Sequence, residues 1–195
     1  MDINTRKIEG VDKSIWEEKL SLHKHLLTTI WLKEKVDHFD KEKELFIKLF
    51  EFFSLPDKGR LLEVGCGTGK IRIFLPIGIE YTGIDPLSGK VSVFNCQYGL
   101  AEEIPFEKEC FDMVLIYDML GHTYNPIKVM QEVYRVLKLG GRLYFSDEME
   151  RDRQDHLFVF EKDTILELLE QQGFKVEKFS YNIRHPLFLD LVAIK

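Results

Sequence analysis

Two spacings of apolar residues alternate along this chain, and together they predict a layered fold. From Ser14 onward, Leu20, His23, Leu26, Leu27, Ile30 and Trp31 recur at intervals of three and four, which predicts one helix reaching about Asp37. Ser14-Ile15-Trp16-Glu17 has the form of a capping box and marks the expected start. A second helix is expected after Asp40, its apolar face made of Leu45, Phe46, Leu49, Phe50 and Phe53, with a turn at residues 55–59 to close it.

Beyond that turn the period shortens. Apolar runs at 60–64, 81–84, 91–95, 111–117 and 142–147 read as strands, and 175–181 and 188–194 as a closing antiparallel pair. Between them lie a short helix ending at Pro76 and one opened by the Asn125-Pro126 cap, with Val129, Met130, Val133, Val136 and Leu137 on its buried face. Gly140-Gly141 is expected to stop that second helix, and a last helix at 163–172 should end at Gly173. Strands alternating with helices predict an α/β three-layer sandwich around a mostly parallel, seven-stranded sheet.

Composition narrows the picture. A chain of 195 residues suits a single domain, 1–195, in which 1–54 form a helical cap and 55–195 the α/β core. The net charge of −6, with acids and bases interspersed, offers no basic stripe for nucleic-acid phosphates. Cys66, Cys96 and Cys110 are too few and scattered for a disulfide framework, and His23 and His25 cannot share a helix face, so no metal site is expected. Without an apolar leader or a membrane-length apolar run, the expectation is a soluble cytoplasmic protein. Residues 1–13 carry alternating charges and are expected to be loosely attached.

The chemistry concentrates in residues 60–69, R-L-L-E-V-G-C-G-T-G. An apolar run ending in Gly65, Gly67 and Gly69 reads as a buried strand turning sharply into a helix whose first N–H groups are free for a polar ligand. A P-loop does not fit, because Gly69-Lys70 is followed by Ile71 and Val64 stands where the first glycine belongs. A dinucleotide fingerprint fits poorly, since Lys70 replaces its third glycine, although Asp85 lies at a suitable distance.

The spacing E-x-G-x-G-x-G from Glu63 resembles the first motif of class I S-adenosylmethionine-dependent methyltransferases. Y-T-G-I-D at 81–85, G-L-A-E-E-I-P-F at 99–106, F-D-M-V-L at 111–115 and E-V-Y-R-V-L-K-L-G-G-R-L at 132–143 follow in that family's order. Together they look like the small-molecule branch that includes quinone-biosynthesis enzymes. The resemblance implies a Rossmann-like fold, S-adenosylmethionine as cofactor and a small-molecule methyl acceptor; the two N-terminal helices read first as a pair that covers the core, with the alternative, implied by the resemblance, that the first one lids the site.

It also implies roles for individual residues. Gly65, Cys66, Gly67 and Gly69 would take the amino-acid end of the cofactor, supported by Glu63; Asp85 would accept from both ribose hydroxyls, with Pro86 beside it. Ala101 and Glu102 would meet the adenine, while Leu100 stands where the family commonly carries an acid. Tyr117 and Asp118 would face the methionyl part. His122 is the first candidate for a general base, and His156, between the fifth strand and the last helix, the second; Tyr117 completes the catalytic set. The segment after Asp85 looks too short for the helix expected there. Aminopropyl transfer on the same fold, and a cofactor-binding module without turnover, remain alternatives. The absence of an Asn/Asp-Pro-Pro-aromatic segment argues against the nucleic-acid amino-methylating enzymes of this fold.

Overall fold

The structure is a computed structural model that describes residues 10–31, 39–88, 94–150, 156–181, 183 and 186–195, the side chains of 23, 25–31 and 39–42 excepted. Helix α1 spans Lys13–Trp31 and α2 spans Phe39–Phe53. The cap of α1 is Asp12 rather than Ser14: the Asp12 carboxylate accepts from the Ser14 backbone N–H at 2.8 Å, so Ser14 already lies in the first turn. Most of the expected α1 face, including His23 and Leu26, and the segment 32–37 lie outside what is described.

Among the described residues, seven strands form one sheet. They are β1 (Lys58–Val64), β2 (Gly78–Asp85), β3 (Cys96–Tyr98), β4 (Phe111–Tyr117), β5 (Leu137–Glu148), β6 (Lys175–Tyr181) and β7 (Phe188–Ile194), in the order β3-β2-β1-β4-β5-β7-β6. β3 through β5 run parallel, and β7 is antiparallel to both neighbours. Adjacent parallel strands need crossovers, and the order reverses between β1 and β4, which leaves a crevice at their carboxyl ends.

Each strand alternates its side chains between two cores. Leu62, Val64, Val114, Ile116, Leu143 and Phe145 face α3 (Pro126–Val136) and α4 (Lys162–Gln171), packing on Val129, Val133, Ile165 and Leu168. Leu61, Met113, Leu115, Tyr144 and Val192 face the other way, onto Phe46, Leu49 and Phe53 of α2 and onto Ile71 and Leu75. The sheet is therefore covered on both faces, as the alternating pattern predicts.

Three boundaries differ from expectation. β3 is three residues at Cys96–Tyr98, beyond the apolar segment 91–95, of which 91–93 lie outside the described residues. α3 gives way directly to β5, with Leu137 extended at its end, so Gly140-Gly141 do not stop the helix. They sit where the β4–β5 register shifts between Phe111 and Met113, and Gly140 has φ +76°. The short helix after the glycine loop, Lys70–Phe74, is 3-10 rather than α.

Candidate functional site

A cavity of about 480 Å³ opens at the carboxyl edge of β1, β2 and β4. Of the residues singled out by sequence, Glu63, Gly65, Cys66, Gly67, Asp85, Pro86, Ala101, Glu102, Tyr117, Asp118 and His122 line it.

One wall is the loop after β1. Gly65 and Gly67 take φ +75° and +53°, where an L side chain is strained, and a Cβ on Gly67 would meet no atom of the described residues within 4 Å. Space is left there for something other than the chain. The buried hydroxyl of Thr68, also on this wall, has no hydrogen-bond partner among the described residues. Asp85 ties this wall together: Oδ2 accepts from the Gly67 N–H at 2.9 Å and Oδ1 from the Leu87 N–H at 2.7 Å. Asp85 also opens a turn, Ser88 N–H to Asp85 carbonyl at 3.1 Å, with Pro86 at its second position. Turn former and ligand-facing acid are thus one residue, and a carboxylate with lone pairs to spare can still accept from a diol.

Glu63 is 4% exposed and receives the Tyr81 hydroxyl at 2.5 Å. Burial, with a smaller push from the charge of Asp85, raises its carboxyl to about 8 against the lowering effect of Tyr81. Burial and the neighbouring Glu63 push the Cys66 thiol far up, so it is an inert lining group rather than a nucleophile.

Two of the residues singled out here have structural partners of their own. Gly69 does not line the cavity; a Cβ there would come within 2.4 Å of Cys96 Sγ, so its glycine serves packing. Glu102 lines the cavity but is not solvated. It is 2% exposed, and its carboxylate accepts from the backbone N–H groups of Tyr124 and Asn125 at 2.7 and 3.2 Å, holding the segment after β4 in place. Leu100, buried at 8% exposure, and Ala101 complete the apolar floor.

The opposite wall is assembled from distant segments. Trp16 and Leu20 of α1, Leu45 and Phe46 of α2, and Tyr117, Asp118, Met119, His122 and Thr123 after β4 meet there. Trp16 Nε1 donates to the His122 carbonyl at 2.9 Å and its ring meets Tyr124 edge-on at 5.5 Å, which fastens α1 over the cavity. Phe46 packs against Tyr117 at 5.3 Å. Asp118 takes φ +53° and donates its N–H to the Ser146 carbonyl at 2.8 Å. Behind it, Asp147 is 2% exposed and accepts from the N–H groups of Met119, Leu120 and Glu148; burial and the charge of Asp118 raise it to about 7.

His122 stands at the cavity, whereas His156 does not line it. The two rings meet at 4.5 Å and 90°, and Gly121 allows this approach, since a Cβ there would lie 3.0 Å from His156 Nδ1. His156 packs edge-on against His122 and lies outside the cavity lining. Trp16, Leu20, Leu45, Phe46, Thr68 and Asp147 were not legible as site residues. Apolar periodicity marks Leu20, Leu45 and Phe46 as core but cannot say which end of the helix overhangs a pocket.

A mostly parallel α/β sheet with a glycine loop and an acid at its switch point is the arrangement to set beside known proteins. Residues 62–145 match a family described as a methyltransferase domain. Over 148 residues the chain is 32% identical to an uncharacterised protein of Methanocaldococcus jannaschii, covering 65% of this chain and 69% of that one. Over 137 residues it is 31% identical to a ubiquinone biosynthesis O-methyltransferase of Pseudomonas fluorescens, covering 62% and 57%. A solved S-adenosylmethionine-dependent methyltransferase from Aquifex aeolicus shares the fold at TM-score 0.62 and 18% identity, covering 76% of this chain and 88% of that one. Residues 62–145 of the chain thus carry a methyltransferase domain, on the fold shared with solved S-adenosylmethionine-dependent methyltransferases. The chain spans between 23% and 69% of the length of the curated relatives it matches.

Proposed function

We propose that this chain transfers a methyl group from S-adenosylmethionine to a small-molecule acceptor and releases S-adenosylhomocysteine. The observation that carries the reading is the glycine wall: open space at Gly67, an orphaned Thr68 hydroxyl and Asp85 spanning two loops beside one cavity. These fit an elongated ligand with a polar amino-acid end and a diol. When bound, S-adenosylmethionine supplies an electrophilic methyl on a sulfonium.

The residues divide the remaining tasks. Backbone groups of Gly65, Cys66 and Gly67 would hold the amino-acid end, with the Glu63 carboxyl toward its ammonium; Asp85 would hold the ribose hydroxyls, and Pro86 and Ala101 would bound the base. Tyr117 and Asp118 lie at the end of β4, where a ring face or carboxylate favours positive charge. Trp16, Leu20 and Phe46 exclude water from the acceptor side. Holding the acceptor in line can supply roughly 7–11 kcal/mol of the barrier. His122, braced by His156, accepts the acceptor's proton where there is one to lose. In this reading residues 1–54 cap the core formed by 55–195, and the protein works in the cytoplasm without nucleic acid as substrate. The net charge of −6 supports the exclusion of nucleic acid.

Calorimetric titration with S-adenosylmethionine, S-adenosylhomocysteine and NAD tests the reading. The two sulfur ligands should bind, NAD should not, and Asp85→Ala should abolish binding while leaving the protein folded. Binding of NAD alone, or of none of the three, would overturn it. Methyl transfer to a panel of phenols, thiols and amines then identifies the acceptor.

A further inference from the structure

Beneath the glycine loop lies a cluster that the site residues alone do not account for. The Tyr81 hydroxyl, on β2, donates to Glu63 Oε2 on β1 and lies 3.7 Å from Cys96 Sγ on β3. Two positions without a Cβ make room for it. A Cβ on Gly69 would come within 3.1 Å of the Tyr81 oxygen, and one on Gly83 within 2.8 Å. Loop, strand and neighbouring strand thus converge on one hydroxyl.

Glu63 needs that hydroxyl because little else supports its charge. Tyr81, Cys66, Cys96 and Asp85 surround it on the loop and the two neighbouring strands, and none of these is a cation. Lys70 and Asp118 line the same cavity. A buried acid beside a second acid, facing a cavity, favours a positively charged ligand group.

We propose that Tyr81 is a positioning residue of the ligand site: its hydroxyl, seated between Gly69 and Gly83, turns the Glu63 carboxyl toward the cavity to receive the ammonium of the bound amino-acid end. This rests on the proposed S-adenosylmethionine reading. The ordinary carboxylate range lies well below the raised value of Glu63, so near neutral pH the empty site holds a protonated Glu63. Binding of an ammonium then expels that proton to solvent, and no other bond is made or broken.

The test is calorimetry on Tyr81→Phe, Glu63→Gln and the double variant. S-adenosylhomocysteine carries the ammonium, and 5′-methylthioadenosine lacks the amino-acid end. Tyr81→Phe should weaken S-adenosylhomocysteine about tenfold, the scale of one hydrogen bond to a charged group, and leave methylthioadenosine unchanged. In the Glu63→Gln background the same change should have no effect. Heats in buffers of different ionisation enthalpy at pH 7 should report release of about one proton in the parent protein and none in Glu63→Gln. Equal weakening of both ligands by Tyr81→Phe, or proton release unaltered in Glu63→Gln, would overturn the proposal and leave the cofactor reading standing. Failure of the parent protein to bind either ligand would overturn both.

Discussion

The two walls of the cavity are built on different principles. The glycine wall comes from short contiguous stretches, 63–68 and 85–87, and its working groups are backbone N–H groups gathered by one carboxylate, Asp85. The acceptor wall comes from α1, α2 and the segment after β4, more than a hundred residues apart for Trp16 and His122, and its working groups are side chains. A wall of backbone is stiff and specific for one ligand. A wall of side chains can change its acceptor with few substitutions, because nothing in the sheet depends on which apolar group fills it.

The sharpest way to break that comparison is Asp85→Ala. It removes the acceptor of two backbone N–H groups, and S-adenosylhomocysteine affinity should fall roughly 100-fold or more by calorimetry. Retained affinity would mean that the glycine wall does not depend on its clasp. Next come the two glycines. Gly69→Ala should cost roughly 2–4 kcal/mol in denaturant unfolding, from crowding against Cys96 and from left-handed φ. Gly67→Ala should cost about 1 kcal/mol of stability yet about tenfold in ligand affinity, because its Cβ would enter the cavity.

The walls also differ in how they titrate. Glu63 on the glycine wall is raised to about 8, and Asp147 behind the acceptor wall to about 7. Folded values above the unfolded ones mean that these groups stabilise the fold fully below about pH 4 and lose that contribution as pH rises through 7 and then 8. The melting temperature of the ligand-free protein should therefore fall by a few degrees between pH 6 and 8.5. Glu63→Gln should flatten the fall all the way to about pH 8, and Asp147→Asn only the part below about pH 7. The smallest effect is expected from Trp16→Phe, which keeps the ring contact with Tyr124 and unpairs the His122 carbonyl. Stability should drop about 1 kcal/mol, with acceptor KM raised and S-adenosylhomocysteine affinity unchanged. An equal loss of cofactor affinity would show that the walls are coupled.

Much of the fold was legible in the residues. β4, β6 and β7 have the expected bounds, and Asn125 caps α3 by accepting from the Lys128 N–H at 3.0 Å. Local signals went astray where a tertiary partner competed for the same group. Ser14 looks like a cap, but Asp12 reaches the free N–H first. Gly140-Gly141 look like a helix stop, but the strand pairing of β5 with β7 begins nearby and absorbs them.

The chain by itself determined the glycine wall and the sheet that carries it, because spacing within a few residues dictates a turn, a cap or a strand face. Only the tertiary structure decided that Glu102 holds the segment bearing His122, that His156 stands behind the cavity, that Gly69 yields its space to Tyr81 and Cys96, and that Trp16 closes the far side. Those contacts join residues up to 106 positions apart. Which groups meet across such distances depends on how the helices pack on the finished sheet, and no local pattern encodes it.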